Sequence, residues 1–259
     1  MKALLLAGGL GRRLGPYTER WPKCLMPIQG VPLLLFWLRD LWDAGVEHVY
    51  VNTHHLADEV HFILSECNCS DKITIISEDQ LLGTAGTLKQ LLLNHVSTIE
   101  DDLLVAHADN FCLCDFAEFI EFHRNDPFSA GTMMSFYSNQ PASVGRIEKD
   151  SDNRLVGVIE KDANAGPGEA NGAVFIFRKA VRDKFLEVSG DDLCRDLIPL
   201  LIGEMAVWQS NSLHLDIGTP QALFEAQNIS ANKAGCRELV SERWWSYFSG
   251  KDVLSVSGC

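Results

Sequence analysis

The sequence predicts an α/β fold, built on a doubly wound, mostly parallel sheet to which mixed strands are added. Up to Ala106, short apolar segments alternate with segments of helical periodicity, the order expected of parallel strands joined by crossover helices. After Asp126, strand-like segments follow one another with few helices between them, which predicts mixed or antiparallel strands on one side of the sheet. Ligands of such sheets bind beyond the carboxyl ends of the strands, so we expect functional residues there.

The first half of the chain alternates strand and helix. Residues 3–7 form a continuous apolar run, which predicts a buried strand. In residues 33–44 apolar side chains recur with helical spacing, and Gly45 follows as a helix-ending residue. Residues 48–52 are rich in β-branched and aromatic side chains, which favour a strand. The same criteria predict, in order, a helix at 57–65, a strand at 73–76, a helix at 84–93 and a strand at 103–106.

The second half contains more strands than helices. No linker-like, low-complexity or repeated segment separates it from the first half. We therefore predict one domain at residues 1–231, with halves of about 1–126 and 127–231, and a C-terminal tail at 232–259. The predicted strands are 131–137, 145–148, 154–159 and 172–177, and the predicted helices are 179–188, 192–201 and 220–231.

The charge balance limits the partners that the protein can bind. The chain has 259 residues, of which 46% are hydrophobic, and a formal net charge of −13. Nucleic acid or an anionic membrane would be repelled by such a surface, so we expect neither as a partner. Against this background Arg12, Arg13, Arg20 and Lys23 lie close together in the sequence. A local positive site on an acidic protein favours a small anionic ligand.

Cysteine usage and the N-terminus predict a cytoplasmic protein. The eight cysteines include C-x-C pairs but no C-x-x-C pairs with neighbouring histidines, so buried free thiols are favoured over a zinc site. The N-terminus lacks the basic region, apolar core and cleavage site of a signal peptide. No apolar run approaches the ~20 residues that a membrane-spanning helix needs.

The stretch LAGGLGRRLGPYTERWPKCLMP follows the first predicted strand and combines glycine with positive charge. A G-x-G-x-x-G fingerprint would need glycine where the chain has Leu14, and the acidic residue expected about twenty positions further on is also missing. This disfavours a nicotinamide-dependent oxidoreductase. No Gly-Lys-Ser/Thr tripeptide of a Walker loop occurs either. Gly8, Gly9 and Gly11 instead allow backbone N–H groups to approach phosphate oxygens, with arginine alongside.

This stretch resembles the signature of the sugar-phosphate nucleotidyltransferases, roughly L-A-G-G-x-G-T-R-L-x-P-x-T followed by P-K-x-L-x-P. Arg12 stands where the family usually has Thr, and is either an additional phosphate contact or a solvated side chain. The resemblance implies a Rossmann-like fold of the nucleotide-diphospho-sugar transferase type, with residues 1–126 on the nucleotide side and 127–231 on the sugar side. The matching residues are Leu6, Ala7, Gly8, Gly9, Gly11, Arg13, Leu14, Pro16, Thr18, Pro22, Lys23, Leu25 and Pro27.

Further segments resemble other motifs of the same family. EDQLLGTAGTL resembles the motif that holds the base of the nucleotide, HADN and LDIGTP resemble the turns that carry two metal ligands, and VIEKD and NGAVFIF resemble the segments that bind the sugar phosphate. The implied catalytic residues are Arg13, Lys23, Asp109 and Asp216, of which Asp109 and Asp216 would bind the metal. The implied nucleotide site is Leu6, Ala7, Gly8, Gly9, Gly11, Glu78, Gly83, Thr84, Ala85 and Gly86, and the implied sugar-phosphate site is Glu160, Lys161, Asn171 and Gly172.

The resemblance implies transfer of a nucleoside monophosphate from a nucleoside triphosphate to a sugar 1-phosphate, with Mg²⁺ as cofactor and pyrophosphate as the second product. LGTAG and VNTHHLADEV look most like the mannose- or heptose-1-phosphate guanylyltransferase branch, which favours GTP over UTP, dTTP or CTP. The alternative is a catalytically silent regulatory or scaffold relative. It predicts loss of catalytic residues, yet all four are present. The sequence leaves the oligomeric state open, a homodimer included.

Overall fold

The strands and helices of the molecule follow the alternation predicted from the sequence. The computed structural model describes residues 1–95, 99, 101–139, 144–159 and 166–254. Its strands are β1 Lys2–Leu6, β2 Pro27–Ile28, β3 Val31–Pro32, β4 His48–Thr53, β5 Ile73–Ser77, β6 Leu103–His107, β7 Asn110–Cys112, β8 Gly131–Ser138, β9 Arg146–Lys149, β10 Leu155–Ile159, β11 Gly168–Phe177, β12 Met205–Ser210 and β13 His214–Asp216. Its α-helices are α1 Pro16–Arg20, α2 Leu33–Asp43, α3 Ala57–Ser65, α4 Gly83–Asn94, α5 Phe116–Arg124, α6 Arg182–Glu187, α7 Pro220–Gln227 and α8 Glu242–Ser249.

The structure differs from the predicted elements in three ways: one helix has another geometry, one helix is shorter, and several elements were not predicted. The segment predicted as an α-helix at 192–201 is π-helical over Leu193–Leu197 and 3-10 over Ile198–Leu201. Pro199 has no N–H with which to continue an α-helical ladder, which explains why an α-helix does not run through this position. The helix predicted at 220–231 ends at Gln227. Sequence reasoning missed the helices α1, α5 and α8, the strand β12 and the short strands β2, β3, β7 and β13.

The chain divides into two compact units that alternate along the sequence. Unit 1 comprises Met1–Leu4, Leu82–Ala106 and Cys114–His214. Unit 2 comprises Leu5–Leu81, His107–Leu113 and Leu215–Cys259. The predicted domain bounds, 1–231 and 232–259, stay predictions.

In unit 1, β11 is the strand around which the sheet is built. It pairs antiparallel with β6, β8 and β9, and β10 continues the sheet beyond β9. β12 pairs parallel with β8. The mixed strands predicted for the second half are therefore confirmed. On α6, the ring of Phe185 meets Phe177 edge-on at 4.9 Å, and Phe177 stacks on Phe175 at 5.6 Å, which forms part of the buried core.

In unit 2, α2 is buried on nearly all sides and supports the turn after β6. β4 and β5 pair in parallel, as predicted for this half of the chain. The Phe36 ring of α2 meets Phe111 of β7 edge-on at 5.4 Å. Trp37 Nε1 donates to the backbone carbonyl of Asn110 at 2.9 Å. These contacts fix the backbone immediately after Asp109.

Two findings concern absences among the described residues. The seven cysteines there form no disulfide, and five of them are buried. The residues that the structure describes also contain no group of three or more His, Cys, Asp or Glu side chains that could hold a metal ion. No helix in the described part of the chain is long and apolar enough to cross a membrane.

Candidate active site

Lys23 lies at the centre of a charged cluster in unit 2. Its ammonium nitrogen, Nζ, donates to Asp109 Oδ2 at 2.8 Å and to Asp216 Oδ1 at 2.7 Å. The Lys23 side chain is only 6% exposed, whereas those of Asp109 and Asp216 are 35% and 39% exposed. Three residues from separate sequence motifs are thus brought to one place, with the cation buried beneath two accessible carboxylates.

The cluster favours the ionised forms of Lys23 and Asp216. Burial acts to raise the pKa of Asp216, but Lys23 and Arg13 outweigh it and lower this pKa to about 2. Burial also disfavours the ammonium of Lys23, yet Asp109 and Asp216 raise its pKa above the ordinary value. A permanent positive charge therefore lies next to a permanent carboxylate charge.

Arg13 is the exposed arm of this cluster. Its Nη2 donates to Asp216 Oδ2 at 2.7 Å, and its side chain is 60% exposed. The backbone N–H of Gly218 donates to Asp216 Oδ1 at 2.8 Å. A Cβ on Gly218 would lie 2.6 Å from Arg13 Nη2 and 2.7 Å from Asp216 Oδ1, so this close approach requires glycine. Gly218 lies within the LDIGTP motif, but motif matching did not predict this packing role.

Short backbone segments place the charged side chains of the cluster. Lys23 begins the 3-10 turn Lys23–Leu25, which follows Pro22. Asp109 lies between β6 and β7, and Asp216 ends β13. Because β13 and β7 form a two-stranded sheet, two aspartates that are distant in sequence reach the same ammonium group.

Asn52, at the end of β4, holds the backbone that follows β1. Its Oδ1 accepts from the N–H groups of Ala7 at 2.6 Å and Gly8 at 3.2 Å, and its Nδ2 donates to Glu78 Oε1 at 2.9 Å. Asn52 and Glu78 are both buried, and a Cβ on Gly8 would lie 2.8 Å from Asn52 Nδ2. The predicted nucleotide residues Ala7, Gly8 and Glu78 are therefore joined through a side chain that the motifs did not include.

The glycine loop is anchored at both ends and open in the middle. Gly11 has a φ of +59°, and a Cβ there would lie 2.7 Å from Thr18 Cγ2. Thr18 Oγ1 donates to the carbonyl of Gly11 at 3.1 Å. At Gly9, which is exposed, no other part of the described chain lies within 4 Å of where a Cβ would stand. The open side of the loop is thus at Gly9, while Leu6 is buried and Arg12 is exposed.

Replacing Asn52 by alanine is expected to destabilise the protein by about 2–3 kcal/mol, because the N–H groups of Ala7 and Gly8 and the Glu78 carboxylate lose a buried partner. Urea denaturation of wild type and variant measures the change. Asn228→Ala is the control, since Asn228 is exposed at the end of α7, and it is expected to change stability by at most about 0.5 kcal/mol. Equal losses in the two variants would contradict the anchoring role of Asn52.

In unit 1, the LGTAG segment forms the start of α4 and is held by residues 191–193. Gly83 has a φ of +74°, and a Cβ there would collide with the backbone carbonyl of Asp191. The N–H of Ala85 donates to the same carbonyl at 2.9 Å, and Thr84 Oγ1 accepts from the N–H of Leu193 at 2.7 Å. Gly86 lies one position further along α4. The residues predicted to hold the base are therefore part of a rigid turn.

The predicted sugar-side residues that the structure describes, Asn171 and Gly172, lie on β11 in unit 1. Asn171 Nδ2 donates to Cys194 Sγ at 3.3 Å, and its Oδ1 accepts from the N–H of Ala173 at 2.8 Å. The carbonyl of Gly172 lies 2.7 Å from His214 Nε2. Sequence reasoning did not single out Cys194 or His214. The other two residues of this predicted site, Glu160 and Lys161, lie outside the described residues.

A mixed α/β fold whose first glycine loop and strand-end carboxylates converge on a buried lysine defines a nucleotidyl transferase. The chain belongs to the nucleotidyl transferase family, whose model matches residues 2–233. A crystal structure of HddC from Yersinia pseudotuberculosis, complexed with GMP-PN, superposes with a TM-score of 0.72 at 25% sequence identity, covering 87% of this chain and 97% of that one. The predicted Rossmann-like fold and the predicted family are both confirmed.

Curated relatives carry guanylyltransferase names. The mannose-1-phosphate guanylyltransferase catalytic subunit beta of Drosophila pseudoobscura pseudoobscura is 29% identical over 224 residues, and the mannose-1-phosphate guanylyltransferase of Mycobacterium tuberculosis is 26% identical over 225 residues. Each alignment covers 85% of this chain. The chain spans 60% and 61% of the length of these two relatives.

Proposed function

We propose that the protein is a sugar-1-phosphate guanylyltransferase, which transfers GMP from GTP to a sugar 1-phosphate and releases pyrophosphate. The observation that carries this proposal is the buried Lys23 ammonium, 2.8 Å from Asp109 and 2.7 Å from Asp216, with Arg13 on the outer side of Asp216. The choice of GTP rests on the names of the relatives and on the GMP-PN bound by the Yersinia protein. Mannose 1-phosphate is the first sugar phosphate to test for the same reason.

The reaction depends more on stabilising the negative charge of the phosphates than on proton transfer. An oxygen of the sugar 1-phosphate attacks the α-phosphorus of GTP, a new P–O bond forms, and the bond to the oxygen that bridges the α- and β-phosphates breaks. The nucleophile is already ionised, so a general base is unnecessary. Both substrates are anions, and unit charges 4 Å apart repel by about 1 kcal/mol in water and several times more in a drier site. Positive groups held in fixed positions therefore account for most of the catalysis.

We assign to Lys23 the stabilisation of the negative charge on the α-phosphate. Its ammonium is buried and ionised, and Asp109 and Asp216 hold it in one place. A preorganised cation of this kind stabilises the negative charge that develops on the α-phosphate in the transition state without having to reorient. The low exposure of the side chain strengthens its interaction with an anion, because little water lies nearby to screen it.

We assign the binding of the departing β- and γ-phosphates to Arg13 and the glycine loop. The guanidinium of Arg13 is a planar donor with five N–H groups, of which the contact with Asp216 uses the Nη2 end. The loop is open at Gly9, where backbone can approach phosphate oxygens closely. The exposed Arg12 is next to Arg13 in the chain and adds positive charge to the same loop.

The donor set of the cluster fits a magnesium ion. Asp109 and Asp216 each direct a carboxylate oxygen to the same nitrogen, so the two oxygens lie close together. Mg²⁺ prefers oxygen ligands and is commonly bound by one or two carboxylates together with water and substrate phosphates. Asp109 and Asp216 would hold the ion, which when bound supplies positive charge to the phosphate oxygens.

On the sugar side we propose that Asn171 and Gly172 contact the sugar. Gly172 leaves no space for a side chain, since a Cβ would lie 2.9 Å from the backbone carbonyl oxygen of Met134, and the carbonyl of Gly172 is fixed by His214. The roles of Glu160 on sugar hydroxyls and Lys161 on the sugar phosphate stay predictions.

The function is tested by measuring pyrophosphate release with Mg²⁺, each of GTP, UTP, dTTP, CTP and ATP, and a panel of sugar 1-phosphates that includes mannose 1-phosphate. We expect the highest kcat/KM with GTP. Preference for another nucleotide would overturn the assignment of GTP while retaining the reaction class. Absence of turnover with every pair would favour the catalytically silent relative.

Gly218→Ala is expected to lower kcat about 10-fold, because the new methyl group displaces the Arg13 guanidinium or the Asp216 carboxylate, and small displacements of catalytic groups are costly. Steady-state kinetics with GTP measure the effect. Gly166→Ala is the control: among the residues that the structure describes, none lies within 4 Å of a Cβ at Gly166, and the activity of this variant is expected to equal that of wild type. Unchanged kcat in Gly218→Ala would contradict the requirement for close contact at this position.

A further inference from the structure

The segment that follows the family match packs against the turn that carries Lys23. The match ends at residue 233, and α8 lies beyond it. The centroid of the Phe248 ring on α8 is 5.7 Å from that of Trp21, and the centroid of the Tyr247 ring is 6.4 Å away. Trp21 and Phe248 are buried. Since Trp21 stands two positions before Lys23, α8 covers the backbone that leads directly to the central cation.

The Trp21 side chain also forms a hydrogen bond that bridges the turn containing Lys23. Its indole Nε1 donates to the carbonyl of Leu25 at 2.7 Å, so that the side chain spans Pro22, Lys23 and Cys24. A displacement of the indole ring would therefore move the backbone on both sides of Lys23. The position of the Trp21 ring and the direction of the Lys23 side chain are mechanically coupled.

α8 is itself fixed to α3 at two points. Tyr247 donates its hydroxyl to the Glu59 carboxylate, with oxygen distances of 2.6 and 2.7 Å. Near the other end of α8, Arg243 Nη1 donates to Glu66 Oε1 at 2.9 Å, and Ser241 Oγ donates to Glu66 Oε2. Attachment at both ends sets the position of α8 along α3. The rings of Tyr247 and Phe248 on α8 contact Trp21, so the position of α8 also determines where the Trp21 ring lies.

We propose that Trp21, Tyr247 and Phe248 are positioning residues through which α8 holds the Lys23 ammonium between the two carboxylates. The inference rests on the proposed function, in which Lys23 acts on the α-phosphate. Catalytic groups must be held within about 0.5 Å of their productive positions by packed neighbours. Loss of the aromatic support is therefore expected to reduce the rate of the chemical step more than substrate binding.

Kinetics of Phe248→Ala test the proposal. We expect kcat to fall about 10-fold or more, with KM for GTP within about 3-fold of wild type, because alignment is lost while ground-state contacts remain. Phe248→Leu, which retains most of the buried volume, is expected to restore kcat to within about 3-fold of wild type. Trp21→Phe keeps an aromatic ring but removes the donor to Leu25, and is expected to lower kcat even where Phe248→Ala folds poorly.

Phe185→Ala is the matched control. Phe185 is a buried phenylalanine of unit 1, and its truncation is expected to lower the melting temperature by an amount similar to that of Phe248→Ala. Measured at a temperature at which all variants are folded, its kcat is expected to equal that of wild type. A loss of kcat in Phe248→Ala no larger than in Phe185→Ala would overturn the positioning role.

A second readout does not depend on turnover. Nucleotide-free protein is treated with acetic anhydride, and the acetylation of Lys23 is followed by mass spectrometry. The buried Lys23 is expected to react several-fold faster in Phe248→Ala than in wild type or Phe185→Ala. Equal rates of Lys23 acetylation would overturn the proposal. Faster acetylation in a protein whose wild type turns over no substrate would support the positioning by α8 and overturn the proposed function instead.

Discussion

Lys23→Met is expected to lower kcat for nucleotidyl transfer by about 10²- to 10³-fold, the cost typical of removing one preorganised group that stabilises transition-state charge. Methionine has a similar length and fits a buried position, but it leaves Asp109 and Asp216 without their shared cation. The carboxylates then repel the approaching phosphates, which adds to the loss. Pyrophosphate release under saturating substrates measures the change, and the melting temperature reports whether the variant is folded.

The control for this variant is Lys184→Met. Lys184 forms an exposed ion pair with Glu204, at 2.9 Å with both side chains about half exposed, and such pairs contribute little. Its kcat is expected to match that of wild type. If Lys23→Met retained more than about one third of the wild-type rate, Lys23 could not be the group that stabilises the transition state, since removing such a group lowers the rate much more.

Asp216→Asn is expected to keep the fold and to lower Mg²⁺-dependent kcat by about 10²- to 10³-fold, because it removes a carboxylate charge that contacts Lys23 and Arg13 and that would bind the proposed metal ion. The pKa of Asp216 is about 2, so the wild-type group is a carboxylate at any pH used for assay. Manganese binding, followed by electron paramagnetic resonance, gives a readout besides activity and is expected to weaken in the variant.

Asp183→Asn provides the matched control, as Asp183 is exposed on α6 in unit 1. It is expected to bind manganese and to turn over substrate as wild type does. Near-normal activity and unchanged manganese affinity in Asp216→Asn would remove Asp216 from the metal site. Asp216→Asn is expected to have a lower melting temperature than Asp183→Asn while still folding, because the lowered pKa of Asp216 means that its charge also stabilises the folded state.

Sequence reasoning identified the charged cluster because its members lie in recognisable segments. Lys23, Asp109 and Asp216 lie in the segments PKCLMP, HADN and LDIGTP, which resemble motifs of the nucleotidyltransferase family. The carboxyl-end rule predicted that such residues would lie at the functional edge of the sheet. It did not predict that the lysine would be buried between the two aspartates, since that depends on the pairing of β7 with β13.

The residues that hold the backbone of the site in place could not be predicted from sequence patterns. Asn52 is the penultimate residue of an ordinary strand, and nothing in the surrounding sequence indicates that its amide will bond the backbone of residues 7 and 8. The role of Trp21 depends on contacts with residues more than 200 positions away. Such contacts are set by the way elements pack, and hydrophobic periodicity records which face of an element is buried but not its partner.

The most direct test follows the α-phosphate of GTP. Protein, Mg²⁺ and GTP labelled at the α-phosphate are incubated with each of a panel of sugar 1-phosphates that includes mannose 1-phosphate, and the products are separated. The proposed reaction predicts that the label appears in a GDP-sugar, with one pyrophosphate released for each sugar nucleotide formed. Label remaining in GTP, or recovered only as GDP or GMP with no sugar nucleotide at any sugar 1-phosphate tested, would contradict it.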